Sequence, residues 1–169
     1  MKYLIIVLLF VSTNLHAQKC HYLANKVSGM DGSRLIITEP LSLSENFGDG
    51  AVKVWSTIYG DTSLVVAFVI QMNEKYSLNK GDSILIRLDN DDSIGLVLFQ
   101  NSVVKNDGKN NLITALTEVD KDAIEKFQKR GISEIMIDFG DKKVSGSTEK
   151  KGESFALRTV INCVVRYLQ

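Results

Sequence analysis

Two cysteines stand near opposite ends of this 169-residue chain, Cys20 and Cys163. If they join, any fold must place the segment after residue 20 beside the last helix or strand. The order of residues in front of Cys20 argues that they do join. The chain opens MKYLIIVLLFVSTNLHAQKC, with Lys2 as a short basic region, Tyr3 to Val11 as an apolar run, and Ala17 as a small residue behind Leu15 and His16. That is the layout of a secretory signal peptide, and the run is far short of the about 20 residues of a membrane-spanning helix. Cleavage after Ala17 leaves residues 18–169 as a single exported domain in a periplasm or outside the cell. Cys20 lies beyond Gln18 and Lys19, so it is not placed as a lipoprotein acceptor, and no stable membrane insertion is expected after cleavage. In an oxidising compartment a lone cysteine pair is expected to form a disulfide. Closing so long a loop removes about 4–5 kcal/mol of denatured-state entropy in the chain-entropy account.

The same two residues admit competing chemistry. Cys20-His21 could be half of a metal site, but the mature chain offers just Cys163 as a further sulfur ligand and no other histidine. Zinc needs about four ligands, so carboxylates would have to complete it. A thiol with His21 as its base is the other option, though adjacent residues align poorly for that role.

The middle of the chain reads as antiparallel strands. Ala51 to Tyr59 and Ser63 to Met72 flank Gly60-Asp61 and suggest a hairpin. Val52 and Val54 alternate in the first arm, and Trp55 breaks the phase. Leu64 to Ile70 is apolar on both phases, as expected of a strand covered on both faces. Arg34–Thr38, Asn111–Val119, Ser133–Phe139 and a short piece near Val144 are further strands. Val119 to Ile132 predicts a helix, with Asp120 as N-cap, acids leading, bases following and Gly131 as C′ residue. Glu153 to Gln169 places Leu157, Val160, Ile161, Val164 and Leu168 on one stripe and predicts a second helix, with its β-branched run leaving a strand as the alternative. The expected fold is α+β: an antiparallel sheet of several hairpins covered by two helices, about 120–131 and 153–168.

Two motifs lie in Lys80–Phe99. Gly81-Asp82-Ser83-Ile84 matches the opening signature of one family of serine hydrolases. There the serine follows a strand and opens a helix, and a histidine takes its proton. Here Ser83 opens a strand and no histidine follows His21. Asp89-Asn90-Asp91-Asp92 starts a calcium-loop pattern, but Ile94 and Gln100 stand where an EF-hand needs glycine and glutamate. A looser calcium site at the tip stays open; the plainer expectation is a tight turn between two strands. The sequence of turn, strand, acidic turn and strand resembles small exported β-rich proteins of unknown function from Gram-negative bacteria, over about Asn79 to Ile137. That resemblance implies the compartment and no activity.

Bases and acids balance at 20 each, and loss of Lys2 with the leader makes the remainder slightly acidic. Nucleic acid is therefore not an expected partner. Lys142, Lys143, Lys150 and Lys151 read as a solvated loop. No nucleophile elbow and no phosphate-cradling glycine loop occurs, and no catalytic, cofactor or metal residue is assigned. Paired carboxylates could still converge in space for glycoside hydrolysis. Trp55, Tyr59 and Tyr76 would suit a carbohydrate platform if they shared a face, and a core otherwise. The expected function is a non-catalytic binding domain of the cell envelope whose partner is an envelope or extracellular protein or glycan, docking on exposed sheet edges; the alternative is a small hydrolase using two carboxylates.

Overall fold

Period-two burial runs through most of the chain, and it builds one antiparallel sheet. The computed structural model describes residues 20–27, 34–59, 63–148 and 150–168; the expected leader, residues 1–17, lies outside the described residues. Among them the order is β1 (Tyr22–Val27), β2 (Arg34–Thr38), β3 (Leu41–Phe47), β4 (Gly50–Tyr59), β5 (Ser63–Met72), β6 (Ser83–Leu88), β7 (Ser93–Val97), β8 (Val103–Asn106), β9 (Asn111–Glu118), α1 (Lys121–Lys129), β10 (Ile132–Asp138), β11 (Lys143–Ser147), α2 (Lys151–Ser154) and α3 (Ala156–Val165). No helix among the described residues is long and apolar enough to cross a membrane.

The sheet runs β7-β6-β10-β11-β3-β4-β5-β9-β8, with β2 joined to β4 and β1 joined to β2. The expected hairpins form: Ala51 pairs with Gln71 and Tyr59 with Ser63, and Ser83 pairs with Val97. The sheet curls until β7 comes back toward β9, where Leu98 bridges Thr117. Its inner face carries Val52, Val54 and Ile58 from β4, Phe68 and Ile70 from β5, Ile84 and Ile86 from β6, and Ile135 and Ile137 from β10, all buried in one core. Trp55 does not break the alternation of β4. It lies half-buried on the outer face opposite Ala67, while Ser56 takes the inner position between Val54 and Ile58. On β5, Leu64 through Phe68 are buried without a break, so both faces of that strand are covered there.

The two-helix cover needs correction. The described residues are mostly β, with three short helices. α1 begins where expected: Asp120 accepts the Ala123 N–H at 2.7 Å. It ends at Arg130 in extended backbone (φ −123, ψ 153), so Gly131 does not serve as a left-handed cap. Gly131 instead sits in close quarters, where a Cβ would push on Ser154 Oγ and Asp89 Oδ2. The second expected helix is split at Phe155 into α2 and α3. Of its expected apolar stripe, Leu157, Val160, Ile161 and Val164 are buried on α3, while the helix ends at Val165 and Leu168 lies beyond it, half-buried. It packs on the inner face of the curl, where Ser56 Oγ donates to the Val160 carbonyl at 2.6 Å. Periodicity tells which side of a helix is apolar, not which side of a sheet receives it.

Candidate functional site

The residues singled out in the sequence fall mostly into structural roles. Cys20 and Cys163 are joined, with sulfurs 2.07 Å apart and Cα atoms 5.6 Å apart. Neither sulfur is then a free thiolate, which removes the thiol–histidine pair and the cysteine ligands of a metal site. His21 is exposed, and its carbonyl accepts the Glu39 N–H at 3.0 Å. Beside the disulfide, the Tyr22 hydroxyl donates to the Cys163 carbonyl at 3.0 Å.

Gly81 turns with φ +96 and Ser83 is exposed at the start of β6, in a strand and not at a helix N-terminus. The acidic run makes the β6–β7 turn. Asp91 adopts φ +66, Asp92 Oδ2 accepts from the Asn90 amide at 2.8 Å, and Asp89 Oδ2 accepts the Gly131 N–H at 3.0 Å. Asp89 thus points away from the tip and ties the hairpin to the end of α1. Among the described residues no group of three or more His, Cys, Asp and Glu gathers as a cation site. The lysines disperse into ion pairs: Lys142 to Glu74 at 3.5 Å, Lys143 to Asp138 at 3.3 Å, and Lys150 to Glu45. Tyr76 stacks on Phe139 at 4.8 Å with Lys142 over its ring, so its faces are taken, and the Tyr59 side chain lies outside the described residues. The Glu74 carboxylate, hydrogen-bonded by Tyr76 and beside Lys142, is held below the usual carboxylate range.

What the sequence did not disclose is the seam where the curled sheet fails to close. β7 pairs with β6 along one edge, and past the Leu98–Thr117 bridge its other edge has no strand beside it among the described residues. An open groove of about 670 Å³ lies there. One wall is Ile94 to Phe99, and the other is Glu118, Val119, Asp120 and Ala123 at the turn from β9 into α1. The direction of the backbone groups follows from the ladder. In an antiparallel pair, residues alternate between bonding to the neighbour and facing away. Leu88 N–H donates to the Asp92 carbonyl at 2.8 Å, and Leu98 N–H to the Asp82 carbonyl at 2.9 Å. Ile94 and Leu96 keep that phase and bond toward β6. Ser93, Gly95 and Val97 therefore aim their N–H and C=O groups away from β6, and Gly95 and Val97 do so along the wall of the groove. Phe99, next in the same phase, already bonds across the seam to the Leu116 carbonyl at 3.4 Å.

The side chains fit an extended ligand. Gly95 has open space about its Cα, Val97 is 54 % exposed and Phe99 37 % exposed. No protein-family model matches this chain, and no curated protein or solved structure matches it. The groove's chemistry must then be read from its own residues. Its ionisable side chains are Lys80, Glu118 and Asp120. Asp120 is occupied in capping α1.

Proposed function

We propose that this chain is a non-catalytic, exported binding domain that accepts an extended segment of an envelope or extracellular protein as an added strand on β7. The observation that carries the reading is the row of outward-facing backbone groups at Ser93, Gly95 and Val97, beside a groove rather than beside a strand. Such an edge offers main-chain hydrogen bonds to any extended peptide, and alternate side chains give selectivity. Val97 and Phe99 supply an apolar rest on the outer side, and glycine at 95 lets a partner backbone approach closely. The signal-like leader, the disulfide and the likeness to small exported β-rich proteins favour a periplasmic or secreted setting.

The test is to select binders from a library of displayed unstructured peptides and compare them on wild type and Gly95→Pro. Proline at 95 removes a donor that faces the groove and leaves the bonds to β6 in place. Selected peptides should lose at least about tenfold in affinity with Gly95→Pro, and the amides of Ser93, Gly95 and Val97 should gain protection from exchange on binding. Equal binding by Gly95→Pro, or protection confined to β8, would overturn the assignment.

A further inference from the structure

A second feature, independent of the seam, lies beside the disulfide at the opposite side of the sequence. Arg34 opens β2 with its guanidinium carbon 4.9 Å from the centre of the Tyr167 ring. Arg166, just past α3, sits 5.0 Å from the same ring and 5.9 Å from the Tyr22 ring. Tyr22 and Tyr167 meet edge to face at 6.5 Å. The two guanidinium carbons are therefore less than about 10 Å apart.

Neither arginine has an ion-pair partner among the described residues, whereas Arg87 pairs with Glu134 at 3.0 Å. The groups acting on Arg166 are the Tyr22 and Tyr167 phenols, with no carboxylate among them. Two fixed positive charges thus share a small area of a chain whose total charge balances. Stacking occupies the π-face of a guanidinium and leaves its N–H donors in the plane, where they can fork onto an oxyanion. Arg166 donates to the Tyr22 hydroxyl and also interacts with the Tyr167 phenol, which together engage only part of a guanidinium's five N–H donors. Tyr22 holds Arg166, because its hydroxyl is itself anchored on the Cys163 carbonyl, and the Tyr167 ring lies under Arg34.

We infer that Arg34 and Arg166, braced by Tyr22 and Tyr167, form a binding site for a phosphate monoester. Two guanidinium groups match the double negative charge of that group, and a single carboxylate would leave half of the charge unpaired. The phosphate could belong to a soluble molecule or to a lipid headgroup at a membrane surface, and the experiment separates these sources.

The disulfide-bonded protein would be titrated with inorganic phosphate at constant ionic strength, following backbone amide and arginine side-chain NMR signals, with acetate as the comparison anion. Saturable shifts at Arg34, Arg166 and Tyr167, stronger for phosphate than for acetate, are expected. Arg34→Gln and Arg166→Gln should each weaken binding about tenfold, and Arg87→Gln should leave it unchanged. Vesicles of phosphatidylcholine with and without phosphatidic acid provide the second arm. Arginine-dependent enrichment on phosphatidic acid vesicles identifies a lipid headgroup; phosphate binding without enrichment identifies a soluble ligand. No saturable shift at these arginines in the wild-type protein overturns the site, as does vesicle binding that survives both substitutions. The wild-type titration decides the matter even if a substituted chain does not fold.

Discussion

Asp107 and Asp138 show how exposed carboxylates contribute to this fold. Asp107 accepts the N–H groups of Lys109 and Asn110, at 3.0 and 2.7 Å, in the β8–β9 turn. Asp138 accepts the Gly140 N–H at 2.9 Å where β10 turns toward β11. The backbone donors hold both carboxyls below the usual range. A carboxyl lowered in the folded state adds stability above its unfolded pKa and loses it as pH falls through the folded value. Asp107→Ala should therefore melt below wild type at neutral pH, and the gap should shrink below about pH 4; a gap constant with pH would show that the carboxylate charge is not what matters. Space sets a different rule at Gly50. A Cβ there would overlap the Gln71 carbonyl oxygen in the paired strand. Gly50→Ala should cost about 3 kcal/mol, measured by denaturant unfolding. Ser56 is a buried hydroxyl in an apolar row, and its donor reaches Val160 at 2.6 Å while its N–H donates to Thr38 Oγ1 at 2.9 Å. Ser56→Ala should cost about 1–3 kcal/mol by leaving the Val160 carbonyl short of a donor.

At the scale of elements, local signals were legible wherever they acted within a few residues. The cap of α1 was one such signal, and Asp120→Ala should cost about 1 kcal/mol, seen as a lower urea midpoint with an unchanged slope. The β4–β5 and β6–β7 hairpins were others, because alternation and turn residues sit together in sequence. β1, β3 and β8 went unread. Their burial patterns are irregular or largely exposed, as in β1 (Tyr22–Val27), where Leu23 and Val27 face solvent at one margin of the sheet. β3 carries register shifts against β4, so no clean alternation marks it. Gly131 shows a residue type foreseen for one reason and used for another: it follows α1 without capping it, and it packs against Ser154 and Asp89 from elsewhere in the chain.

For the whole molecule, the disulfide decides how the ends are held. It closes 143 residues of chain and sets β1 against α3. Cys20→Ser with Cys163→Ser should lower stability by about 4–5 kcal/mol at most, with native-state relaxation and residual denatured structure reducing the figure. Equal unfolding midpoints for the oxidised protein and the double variant would show that the Tyr22 contacts and the apolar packing of α3 fix that end unaided.

The sequence alone determined the alternating strands, the turn chemistry of Gly81 and Asp91, the start of α1, the apolar stripe of α3 and the pairing of its two cysteines. Each rests on neighbours in the chain or on a unique partner. Tertiary structure alone decided that α3 enters the concave side of the sheet, that β7 stops short of β9, and that Arg34 and Arg166 both reach the Tyr167 ring. These are contacts between segments far apart in sequence, set by the curl of the sheet and the volume inside it, and no local pattern encodes them.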